Sequence, residues 1–216
     1  MTTRVAINPE MLRWAHERAG LDLAGLRKRF PKLADWEQGE LQPTLKQLEA
    51  FAKATHAPLG FLFLPAPPDE PLPIPDFRTM GVAHTERPSP DLLDTIYLCQ
   101  QRQTWYRDFA RVHGERPLDF VGGATIRDDV SPLAAKMRDA IGFDLDERQD
   151  LPSWTEALRC FVEQVEASGV LVMVSGVVGS NNKRKLDPEE FRDFALVDDL
   201  APLIFRQVPQ DYRHIF

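Results

Sequence analysis

The chain's 216 residues, 43% of them hydrophobic, can bury one medium core or two small ones without cross-links, and Cys99 and Cys160 sit inside amphipathic helical patterns rather than a disulfide framework. No apolar run approaches the roughly eighteen residues of a membrane span and no leader-like stretch opens the chain, so a reducing cytoplasm is the expected setting. The net charge of −7 is unevenly spread: residues 1 to 64 carry nine Lys/Arg against seven Asp/Glu, and residues 65 to 216 carry seventeen against twenty-six. A weakly basic head on an acidic body remains compatible with DNA, because phosphates respond to the local field of a docking face.

Asn8-Pro9 predicts a helix cap followed by proline at the first helical position, with the helix running to about Ala19 and Gly20 as its stop. Leu23, Leu26 and Phe30 mark a second helix. Pro31 stands where a third would begin, so only Lys32 to Glu37 is left for it. Thr44 and Gln47 have capping-box spacing ahead of an apolar repeat at Leu45, Leu48, Phe51 and Ala52, and Leu59, Phe61, Leu62 and Leu64 indicate a short fifth helix. Residues 1–64 therefore read as a compact helical bundle.

Eight of the eighteen prolines fall between Pro65 and Pro90. Such density forbids helix and favours extended chain, so 65–90 is read as a linker. Residues 91–216 follow as an α+β domain. Ser89-Pro90-Asp91 opens a long helix through Leu92, Ile96, Cys99, Trp105, Phe109 and Val112, which Gly114 ends; another follows Ser131-Pro132, and a third runs from Ser153 to Ser168. Gly169 to Val174 reads as a buried strand, and Phe194–Val197 with Leu203–Phe205 as a hairpin around Asp198-Asp199. The expected fold is mainly α with a small β part: a helical bundle, then an α+β domain with a short, mostly antiparallel sheet. Trp36 is expected in the core, with base stacking as the alternative; Trp14, Trp105, Trp154 and the Phe61 to Phe63 cluster are expected in core or inter-domain packing; and Asn181 to Lys185 is expected to be a basic surface loop, with an anion or DNA contact as the alternative.

Trp36-Glu37-Gln38-Gly39, followed by Pro43-Thr44-Leu45 and the apolar repeat, resembles the second half of a helix-turn-helix of the XRE type. The whole chain, from INPEMLRWAHERAG through PTLKQLEAFAKATHAPLGFLFLP to SGVLVMVSGVV and FRDFALVDDLAPLIF, is similar to the N-terminal and middle parts of the ImmA/IrrE family of metallopeptidase-like regulators. The likeness covers about residues 5 to 205 and is most specific from Trp36 to Leu64. It implies a regulator of a stress response or a mobile element that cleaves or binds a repressor. In that family the hairpin leads into a helix bearing His-Glu-x-x-His, which binds zinc and uses the glutamate as general base.

This sequence departs from the pattern twice. Its histidines are His16, His56, His84, His113 and His214, no two within four residues, so no His-Glu-x-x-His occurs. Catalysis by this chain is not expected. No cofactor is expected either, zinc entering only with a helix beyond Phe216, and His214 is read as a surface residue. Leu26 to Trp36 is a spacing of ten residues, where such a unit takes about fourteen, so one turn of the recognition helix is missing.

DNA remains the expected partner, through phosphate contact more than base readout. The candidate contacts are Arg27, Lys28, Arg29 and Lys32, together with Gln42, Thr44, Lys46 and Gln47 around the cap of the fourth helix. A solvated charged face accounts for the same residues. Asp198-Asp199 is read as turn chemistry rather than a metal pair. The expected function is a non-catalytic transcriptional regulator or regulatory fragment whose head binds DNA or a repressor protein. The alternatives are a fragment of a zinc metallopeptidase that cleaves a repressor, and an antitoxin-like module whose open sheet edge after Phe205 pairs with another chain. Apolar surface left on the sheet is expected to drive dimerisation.

Overall fold

The computed structural model describes residues 3–75, 88–144, 146 and 149–208. The chain is mainly α with a small β part. It divides into two compact units, the described residues 3–75 and 88–93 in the first and the remainder, from Asp94, in the second.

The first unit is a helical bundle. Helix α1 (Pro9–Arg18) begins where Asn8 accepts a hydrogen bond from the Glu10 N–H, with Pro9 at the first helical position. Helix α2 (Leu23–Arg29) starts on Asp22, whose carboxylate accepts from the Ala24 and Gly25 N–H groups. Helix α3 is the single short run Leu33–Glu37. Helix α4 (Leu45–Thr55) opens on a complete capping box: the Gln47 N–H donates to the Thr44 hydroxyl, and the Thr44 N–H donates to the Gln47 side chain. It ends on His56, which takes the left-handed conformation at φ 51°. A 3₁₀ turn follows at Leu59–Phe63. Met11, Leu12, Leu33, Leu48, Phe51 and Leu62 are fully buried between these elements, and Phe30 meets Phe51 edge-on at 5.5 Å.

The proline-rich segment does not run free from Pro65. The Asn8 side chain donates to the Pro65 carbonyl at 2.7 Å, and the Arg18 guanidinium holds Glu70 in a two-pronged ion pair, one arm at 2.9 Å. Both partners are largely buried, and Arg18 also lies over the Trp14 ring. The segment up to Pro75 therefore belongs with the bundle. Residues 76–87 of the expected linker, together with His84 and His214, lie outside the described residues.

Helix α5 (Pro90–His113) is the long helix that Ser89 caps, its hydroxyl accepting from the Leu92 N–H, and its residues from Asp94 onward belong to the second unit. Helices α6 (Val130–Ile141) and α7 (Trp154–Ala167) follow. The chain then turns at Gly169, whose φ of +94° suits glycine and where an added Cβ would stand 3.0 Å from Leu118. Strands β1 (Leu171–Ser175), β4 (Asp193–Leu196) and β5 (Leu203–Gln207) form one sheet in the order β1-β5-β4. β4 and β5 pair antiparallel as the expected hairpin, whereas β1 pairs parallel with β5, placing Val172 beside Ile204 and Val174 beside Arg206.

Three expectations are corrected. Residues 181–185 are not a loop: β2 (Val177–Val178) and β3 (Asn181–Lys185) make an antiparallel hairpin, and Arg184 is paired with Asp94 of α5 at 2.7 Å. β5 is the central strand, so the free edges belong to β1 and β4, not to the strand ending near Phe205. Trp105 and Trp154 are 68% and 54% exposed, so they are not core residues, whereas Trp14 and Trp36 are buried. Trp105 stacks on Phe109, which stacks on His113, giving the last turns of α5 an exposed aromatic ridge.

The hairpin turn is fastened to α5. Buried Gln103 donates both amide hydrogens, one to the Leu196 carbonyl at 3.1 Å and one to that of Ala201 at 2.9 Å. Arg107 pairs with Asp198 at 3.0 Å. The Asp198 carboxylate also accepts from the Leu200 and Ala201 N–H groups, which is turn chemistry. Burial by itself would raise that carboxyl, but the Leu200 N–H, the Arg107 side chain and the Ala201 N–H outweigh it and hold it below the usual carboxylate range.

Candidate nucleic-acid interface

The head's polar surface is organised around a buried carboxylate. Glu37 sits at the end of α3 with its side chain 3.1 Å from His16 Nε2 on α1 and 3.8 Å from Arg27 Nη2 on α2. Its backbone carbonyl accepts from Arg13 at 2.7 Å. One residue therefore ties α1, α2 and α3 together, which explains what the Glu in Trp36-Glu37-Gln38-Gly39 does locally. Trp36 beside it is 2% exposed and packs near Phe30.

Arg27, Lys28 and Arg29 occupy the last turn of α2, where cations also complement the negative end of the helix. All three are exposed, but consecutive helical residues are about 100° apart, so they fan around the axis and cannot present one flat face. Arg29 lies over the Phe30 ring. Lys32 immediately precedes α3 and Lys46 is the second residue of α4, both exposed. Lys28, Arg29, Lys32 and Lys46 have no carboxylate partner among the described residues.

The other three candidates are engaged inside the head. Gln42 accepts the Ile7 N–H on its side chain and the Arg4 guanidinium on its carbonyl, fixing the N-terminal segment beside α4, where Arg4 bridges to Thr44. The Thr44 and Gln47 side chains close the capping box. Their remaining donors and lone pairs can still meet a phosphate, but their primary work is structural.

The element that would read bases is the least equipped for it. α3 has five residues, and Leu33, Trp36 and Glu37 are all buried, leaving Ala34 and Asp35 as its outward side chains. Neither offers the bidentate donors that distinguish guanine or adenine in a major groove. The head's outward chemistry is therefore a set of separate cations rather than a row of side chains suited to base edges.

No family model, curated protein or solved structure matches this chain. Among the described residues no group of three or more His, Cys, Asp or Glu side chains is placed to hold a metal ion. No helix among them is long and apolar enough to cross a membrane.

Sequence reasoning missed the bracing of Glu37 by His16 and Arg27, which joins residues twenty-one and ten positions apart. A carboxylate directly after the core tryptophan Trp36, following two helices that carry a histidine and an arginine, was the available signal.

Proposed function

We propose that the chain is a non-catalytic regulator whose head docks on the phosphate backbone of duplex DNA with little sequence selectivity. The observation that carries this reading is the set of exposed, carboxylate-free cations Lys28, Arg29, Lys32 and Lys46 on a bundle whose third helix is one turn long and mostly buried. Affinity without base contacts follows from counterion release, and the head's small positive balance keeps that affinity modest.

The test is fluorescence anisotropy of the full chain on two duplexes, the region upstream of its own gene and a random sequence, with salt stepped from low to physiological. Both should bind equally, and binding should weaken steeply with salt. Replacing Lys28 and Lys32 together by alanine should lower the salt slope by about one for each phosphate that is no longer neutralised. Absence of binding to both duplexes at low salt would sink the reading and leave the head as a protein-docking module. Strong preference for the upstream duplex would refute the absence of sequence readout.

A further inference from the structure

Helix α6 carries an apolar stripe at Leu133, Met137, Ala140 and Ile141, spaced for one helix face, yet no residue of α6 is buried. The stripe borders a cavity of about 520 Å³, with α7 the helix that α6 approaches. The facing wall is the sheet: with the period of two, Val172 and Val174 of β1 and Ile204 of β5 turn the same face toward it. Leu158, Phe161 and Val165 of α7 line it as well, with Phe120 and Ala124 from the segment before α6, and the cavity opens to solvent where Met137, Ile204 and Phe161 are 61%, 40% and 38% exposed. Volume and lining are those of a small-molecule pocket.

Three charged side chains line it. Arg206 and Asp193 face each other across β5 and β4 at 3.3 Å and compensate one another. Lys136, exposed on α6 next to Met137, has no carboxylate partner among the described residues. A water-exposed apolar trough with one uncompensated cation at its mouth matches a ligand with an aliphatic body and a single negative end.

We propose that this cavity binds a small amphipathic anion, an aliphatic carboxylate whose chain fills the space between α6, α7 and the sheet and whose head group pairs with Lys136. The site is separate from the head and does not depend on the DNA reading.

Titration calorimetry of the full chain with hexanoate, octanoate and decanoate, all below their micelle concentrations, tests it. One site per chain is expected, with binding about fourfold tighter for each added methylene. Lys136→Glu should weaken decanoate by roughly tenfold or more while leaving the melting temperature of the unliganded protein unchanged. Met137→Asp, at an equally exposed position, should abolish binding by placing a carboxylate in the apolar mouth. Non-saturable heats, affinity independent of chain length, or wild-type affinity in Lys136→Glu would each overturn the proposal. So would a dimer, seen by sedimentation, that excludes decanoate because a second copy covers the trough.

Discussion

Gln103 gives the sharpest test of how the second unit is held together. Its two amide hydrogens go to two different carbonyls, Leu196 at the end of β4 and Ala201 just before β5, from a side chain that is itself buried. Gln103→Leu conserves volume but leaves both acceptors without that donor. At about 1–3 kcal/mol for each orphaned buried group, moderated by each carbonyl's second lone pair, the combined cost is about 2–4 kcal/mol. A unit of this size should lose roughly 10 °C in melting temperature. Gln103→Glu should be worse at neutral pH, since an ionised carboxylate faces two carbonyl oxygens while Arg107, one turn on, is already engaged by Asp198. Its folded-state pKa is then raised above the unfolded value, so its stability is greatest below the ordinary carboxylate range and is lost as pH rises through the folded value. The gap between the two variants should close on acidification. Thermal unfolding by circular dichroism measures the loss, and hydrogen exchange of peptides spanning β4 and β5 localises it. Unchanged exchange in Gln103→Leu, or a Gln103→Glu variant as stable as the leucine variant at pH 7, would refute the double-acceptor argument.

Asp198 predicts the opposite pH response. Its carboxyl is held below the usual range, so the stability it contributes is present above the ordinary carboxylate value and disappears as pH falls through the depressed one. Asp198→Asn keeps an oxygen for the Leu200 and Ala201 N–H groups but loses the Arg107 ion pair; urea titrations should find it about 1 kcal/mol less stable at pH 7 and equal to wild type in strong acid. Cys99 is buried, and burial pushes its thiol up to about 11 against the opposing pull of Arg102. At pH 7.5 a thiol reagent should therefore modify one cysteine quickly in the native chain, the half-buried Cys160, and two in urea; rapid reaction of both in native buffer would contradict the packing around α5.

The parts of the fold that were legible in the sequence are those with local codes. Asn8-Pro9, the Thr44–Gln47 pair and Ser153 set helix starts through bonds within three residues, and the structure has each of them. The turn at Asp198 was legible for the same reason. What was not legible depends on partners distant in sequence. Asn181 to Lys185 shows no apolar alternation, and its strand exists because it pairs back on Val177–Val178 while Arg184 reaches Asp94, ninety residues earlier. The anchoring of the proline-rich segment depends on Arg18 and Glu70, fifty-two positions apart. Trp105 shares the apolar pattern of α5 with Ile96 and Cys99, but it stands nine and six residues from them, about 180° and 240° around the helix, and so faces away from the buried stripe of Ile96, Cys99, Gln103 and Ala110. For the candidate site, composition located the cations and the spacing from Leu26 to Trp36 announced the shortened α3. Neither showed that Gln42, Thr44 and Gln47 spend their side chains on the head's own backbone.

The strand order β1-β5-β4 has a consequence for how the body is made. The strand at the centre of the sheet is the last of the three to leave the ribosome, so β1 and β4 have no ladder to join until Leu203–Gln207 is synthesised. Thirty-two residues separate β1 from its parallel partner in register, a closure that loop entropy makes slow compared with the formation of α5 or α7. Removing β5 would thus not trim an edge from the sheet; it would leave β1 and β4 as two isolated strands with unpaired backbone.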